Sequence, residues 1–133
     1  MLTKKWTVGL LVGYVLIILG ETVLFRTHTV RKYFQPQLFW SYEVWDNQKE
    51  QIIANVLAYL PLGLIVGRMW KWKGLLAGVV LSITSELLQL ITHSGLFEFD
   101  DIIHNTLGTL IGVMIYIIIE KVIKKENNNG LQE

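Results

Sequence analysis

Four apolar runs, at positions 6–25, 52–70, 74–91 and 102–119, constrain this chain more than any other feature in it. Each is 18 to 20 residues long. At about 1.5 Å of rise per residue, a helix of that length covers roughly 27–30 Å, the hydrocarbon thickness of a bilayer. The sequence therefore predicts an all-α integral membrane protein, a bundle of four transmembrane helices. Composition agrees: 17% of the residues are charged, against about 25% in an average soluble domain.

Two lysines precede the first run, as they would in a signal peptide. The run continues to Phe25, however, and "LGETV" is a poor small-residue cleavage site, so a retained helix is expected. With no cysteine in the chain, disulfides, iron–sulfur clusters and a thiol nucleophile are excluded. The net charge of +1 gives no footing for nucleic acid. Residues 1–125 form one transmembrane domain in this reading. The polar tail at 126–133, "NNNGLQE" in its last seven residues, is expected to be disordered.

Orientation follows from where the twelve Lys and Arg fall. Lys4, Lys5, Arg68, Lys71, Lys73, Lys121, Lys124 and Lys125 share one side; Arg26, Arg31, Lys32 and Lys49 occupy the loop on the other. The positive-inside rule then puts both termini in the cytoplasm. The long loop between helices 1 and 2 lies outside and is rich in aromatics: Tyr33, Phe34, Phe39, Trp40, Tyr42 and Trp45. Such residues float a segment at the headgroup level. The alternative is a platform that stacks on a sugar or a lipid head.

Polar residues inside the spans gather near the outer ends of the helices. Glu21, Asn55, Glu86, Gln89, His104 and Asn105 fall within roughly 8 Å of one level at about 1.5 Å per residue. Three- and four-residue steps put Ser82, Ser85, Glu86 and Gln89 on one helical face, Asn55 and Tyr59 on another, and Asp101 and Asn105 on a third. A G-x-x-x-G occurs in every span ("GLLVG", "GLIVG", "GLLAG", "GTLIG"), which predicts close backbone approach throughout the bundle. Pro61 removes a backbone donor inside helix 2 and frees the carbonyl of Leu57, which Gln89 could reach. Amides in membrane helices also serve as interhelical glue, a reading open for Asn55, Gln89 and Asn105. Glu86 differs: an ionisable group within a span is by default a functional-site hypothesis. "DDIIH" sets a carboxylate three residues before a histidine, but without a paired-histidine motif no metal is expected, and no cofactor.

The order of the motifs resembles the VanZ-like family of small bacterial membrane proteins, named for a member that confers teicoplanin resistance. "NVLAYLPLG" supplies N-x5-P-x-G at Asn55, Pro61 and Gly63. "SELLQ" supplies Ser85, Glu86 and Gln89, and "EFDDIIHNTLGTLIG" the acidic turn followed by Asn105, Gly108 and Gly112. The resemblance implies functional positions at Asn55, Glu86, Gln89, Asp101 and Asn105, and structural ones at Pro61, Gly63, Gly108 and Gly112. Where the family often has an Arg followed three residues later by an Asp, this chain reads Gly95 and Glu98.

The expectation is a multi-pass protein of the bacterial cytoplasmic membrane with a polar pocket at its outer face. It would act as a cell-envelope accessory protein. Its partners would be the lipid bilayer and an outer-leaflet lipid-linked precursor or lipoglycopeptide. By family analogy it would lower susceptibility to teicoplanin-like antibiotics. Two alternatives stand beside it: an enzyme on a lipid-linked precursor with Glu86 as general base, and a structural partner in a membrane complex.

Overall fold

The structure is a computed structural model describing residues 3–25 and 34–129. Arg26, Arg31, Lys32 and Tyr33 of the outer loop, and residues 130–133 of the tail, lie outside the described residues. Helix α1 (Lys4–Leu19) runs into a π-helical turn, Gly20–Leu24. After the short strand β1 (Phe34–Gln35) come a single turn, α2 (Trp40–Glu43), and then α3 (Trp45–Trp70). Helix α4 (Gly74–Thr92), strand β2 (Phe97–Glu98) and α5 (Phe99–Asn129) complete the order. Three helical stretches, Lys4–Leu24, Trp45–Thr92 and Phe99–Asn129, are long and apolar enough to cross a membrane. The chain is an all-α membrane protein. Helix α5 continues as exposed helix to Asn129, into the segment read from the sequence as a polar tail.

The 48 residues of Trp45–Thr92 would extend to about 70 Å as one helix, more than twice the bilayer core. Lys71 prevents that. Its φ of 53° and ψ of −131° leave the helical region, and a 3-10 turn, Lys71–Lys73, reverses the chain. Gly74 makes the reversal tight: a Cβ there would lie 2.7 Å from the Val66 carbonyl oxygen. Helix α4 ends at His93 in the left-handed region (φ 57°), with the His93 and Ser94 N–H groups both returning to the Gln89 carbonyl. Such a cap satisfies carbonyls the last turn leaves open.

Helices α3 and α5 run parallel and form the closest pair. The reason is two glycines: a Cβ on Gly63 would fall 2.9 Å from the Gly112 Cα, and one on Gly112 would fall 2.8 Å from the Gly63 Cα. Gly108 meets the Val56 backbone in the same way, and Gly78 of α4 faces the Thr109 side chain. Three of the four small-residue motifs thus zip α3, α4 and α5 together. The fourth departs from expectation, since Gly9 and Gly13 of α1 have nothing within 4 Å of a built Cβ. Helix α1 instead packs through Ile18, Leu11, Tyr14, Val15 and Leu19 onto a core of Tyr59, Leu62, Val66, Leu81 and Val113. Helix α3 continues unbroken through Pro61. The Tyr14 hydroxyl of α1 donates to the Ala58 carbonyl, in the turn before Pro61, at 2.8 Å.

At one end the termini of the helices gather their cations. Arg68 Nε donates to Thr7 Oγ1 at 3.1 Å, and Glu120 lies between Lys71 (3.2 Å) and Lys124 (3.0 Å). At the other end the two loops join. Strand β1 pairs in parallel with β2, Phe34 opposite Phe97 and Gln35 opposite Glu98.

Candidate functional site

The polar stripes of α3, α4 and α5 converge below that small sheet. Register follows from the glycine contacts: with α3 and α5 parallel and α4 antiparallel, each level of the bundle receives one residue from each helix. At the innermost polar level, Asn105 Nδ2 donates to Ser82 Oγ at 2.9 Å. Tyr59 Oη lies 3.4 Å from Ser85 Oγ, with Ser82 also in hydrogen-bond reach and Glu86 and Asp101 in electrostatic range. One turn outward, Gln51 Nε2 donates to Asp101 Oδ2 at 3.0 Å. The carboxylate of Glu86 accepts from the Glu98 N–H at 3.0 Å. Glu98 stands where the family often has an Asp, and here its backbone anchors the strand β2 to α4.

Burial is the defining property of this cluster. Glu86 is 2% exposed, Gln89 3%, Asn105 4% and Asp101 7%, while Asn55 is half-buried. Among the described residues, three of the five sequence-derived residues carry a buried atom without a hydrogen-bond partner: Asn55 Nδ2, Gln89 Oε1 and Asn105 Oδ1. Buried polar groups in folded proteins are nearly always paired, so these atoms call for a complement from water or another group. The set offers one amide donor and two amide acceptors, beside two carboxylates that already accept from the Glu98 N–H and Gln51 Nε2. That inventory suits a partner rich in hydroxyl and amide groups.

From their stripes and depths, Gln89 and Asn105 are expected to share one hydrogen-bond network with Glu86. The structure instead pairs Asn105 with Ser82, seven residues before Gln89 on α4. That separation is about 10 Å along the axis. Glu21 also stays apart, exposed on the π-helical turn of the first helix.

A second buried group, which sequence reasoning missed, ties the outer loop to α5. Asp100 is fully buried. Its carboxylate accepts from the Phe39 N–H at 2.6 Å, the Ser41 N–H at 3.0 Å and the Ser41 hydroxyl. Phe39 has a φ of 63°, a conformation that costs free energy for a bulky residue and persists only where its surroundings over-determine it. The carboxylate supplies that determination. His104, 1% exposed, meets the Tyr42 hydroxyl through Nε2 at 2.9 Å, and its Nδ1 is a further buried orphan. The signal for Asp100 was present in the "FEFDD" run, but adjacency to Asp101 made the two carboxylates look equivalent. One faces the loop and the other α3.

The aromatics of the loop divide into two groups. Phe34, Phe97 and Phe99 cluster with ring centroids 5.2 to 5.8 Å apart. Tyr42 stacks on Trp45 at 6.2 Å and 12°. Tyr42 and Trp45 are each 47% exposed.

Against known proteins, a family model described as VanZ/LLP1 matches residues 10–120. A curated relative, "Protein VanZ" of Enterococcus faecium, is 32% identical over 116 residues, covering 81% of this chain and 71% of that protein. No solved structure matches the chain. The chain belongs to the VanZ/LLP1 family.

Proposed function

We propose that this VanZ/LLP1-family protein is a cell-envelope accessory protein of the cytoplasmic membrane. It crosses the membrane four times, through Lys4–Leu24, α3, α4 and α5, with both termini inside. Its polar cluster, at the outer end, engages the head of an outer-leaflet amphiphile, a lipid-linked precursor or a lipoglycopeptide. One observation carries this reading: among the described residues, one buried amide atom each of Asn55, Gln89 and Asn105 has no hydrogen-bond partner, on the same polar stripes as the buried Glu86 and Asp101 carboxylates. A head bearing hydroxyls and amides supplies the complements those atoms lack. By family resemblance, the consequence for the cell is reduced susceptibility to teicoplanin-like antibiotics. The proposed orientation puts the cluster at the face where an acylated glycopeptide acts.

Expression in a susceptible Gram-positive host tests the reading. The inhibitory concentration of teicoplanin should rise several-fold, while that of a glycopeptide without an acyl chain should stay unchanged. Glu86→Gln keeps an acceptor for the Glu98 N–H and removes the charge, so it should insert normally and lose the effect. An effect that survives Glu86→Gln, with protein levels equal, would remove the cluster from the mechanism.

A further inference from the structure

We infer that the cationic end of the bundle holds a binding site for the headgroup of an anionic phospholipid. A cavity of about 430 Å³ opens there, lined by Lys4, Thr7, Arg68, Met69 and Trp70. Among the described residues no carboxylate lines it. It is separate from the polar cluster, which lies at the other end of the same helices.

Three sources of positive potential meet in this cavity. The first is Lys4, at the start of α1. The second is the guanidinium of Arg68, fixed through Nε by Thr7 Oγ1 at 3.1 Å; Thr7 is itself 3% exposed. The third is the N-terminus of α1, which has no acidic residue in its first turn and no side-chain cap, so its backbone dipole stays uncompensated.

Depth and charge identify the ligand. Trp6, Trp70 and Trp72 surround this end and are 68%, 45% and 56% exposed. Exposed tryptophans on membrane helices mark the headgroup level, so the cavity lies where lipid phosphates are. A second cavity bordered by Arg68 is lined by Glu120 as well as Lys124, so the recess at Lys4 is the one whose described lining has cations as its charged groups. A cationic recess at that depth matches the phosphodiester head of an anionic lipid. Basic pockets between membrane helices hold acidic lipid heads by this physics.

The full chain, stripped of lipid in an uncharged detergent, is the test material. Its unfolding midpoint and retained lipid are measured after addition of phosphatidylglycerol, phosphatidylcholine or inorganic phosphate. Phosphatidylglycerol should raise the midpoint and stay bound in native mass spectra, and the other two should do neither. Lys4→Gln, an exposed position, should weaken phosphatidylglycerol about fivefold, the effect of one basic residue at a lipid surface; Lys4→Arg should restore it. Lys125→Gln removes the same charge outside the cavity and should change nothing. Equal losses from Lys4→Gln and Lys125→Gln would overturn the site in favour of diffuse attraction. A midpoint raised equally by phosphatidylcholine, or by inorganic phosphate, would overturn the anionic-lipid assignment.

Discussion

The carboxylate of Asp100 and the backbone N–H of Ser41, 59 residues apart in the chain, meet at 3.0 Å, and the Ser41 hydroxyl donates to the same oxygen. Together with the Phe39 N–H on the other oxygen, this contact fixes the outer loop on the mouth of the bundle. Asp100→Ala should strand three donors and cost on the order of 3 kcal/mol, given roughly 1–3 kcal/mol for each buried group left unsatisfied. Asp100→Asn, which retains one acceptor oxygen, should lose about half as much. Hydrogen exchange over residues 34–43, read beside the thermal midpoint, is the measurement. Unchanged exchange in Asp100→Ala would mean the strand pair and the aromatic cluster hold the loop by themselves.

Glycines of identical spacing should respond with opposite sign. A Cβ on Gly63 runs into the Thr109 carbonyl and lies 2.9 Å from Gly112 Cα, so Gly63→Ala should destabilise by about 1–3 kcal/mol, the usual cost of overpacking. At Gly13 the built Cβ meets nothing within 4 Å. Gly13→Ala should be neutral or stabilising by up to about 1 kcal/mol, the helix-propensity gain of Ala over Gly. Thermal unfolding in one detergent compares the two directly. A loss at Gly13 as large as at Gly63 would show that α1 packs against something through its glycine face.

Asn105 and Ser82 should be energetically coupled, and Asn105 and Gln89 should not. The first pair shares a hydrogen bond of 2.9 Å, and interhelical bonds in membranes average about 0.6 kcal/mol in double-mutant cycles. Cycles with Ala at Asn105 and Ser82, then at Asn105 and Gln89, should give that coupling in the first case. The second should be additive within about 0.3–0.5 kcal/mol. Coupling in the second cycle alone would reverse the register assigned to α4 and α5.

The proposed orientation can be read with single cysteines, because the chain has none of its own. Asn47 and Asn128 are both exposed and lie at opposite ends of the bundle. Asn47→Cys should react with an impermeant maleimide in intact cells, and Asn128→Cys only after lysis. Ser94, in the turn after α4, is 3% exposed and bonded to Thr92 at 2.8 Å, so silence there would be uninformative. The opposite labelling pattern at Asn47 and Asn128 would put the polar cluster on the cytoplasmic side.

The sequence by itself determined the helices and their faces. In lipid a backbone must satisfy its own polar groups, so runs of 18 to 20 apolar residues have helix as their solution. The 3.6-residue period then fixes which side chains share a stripe, and Glu86, Gln89, Asp101 and Asn105 are indeed buried together. What only the tertiary structure decided is who meets whom. Identical G-x-x-x-G spacings became a tight seam at Gly63 and Gly112 and an open face at Gly9 and Gly13. Asn105 found Ser82 instead of Gln89, and of two adjacent aspartates one took the loop and the other took Gln51. Local periodicity contains no information about the axial offset between helices. That offset is set by which backbones can approach without a Cβ between them, and a shift of one turn, about 5.4 Å, exchanges every polar partner in the cluster.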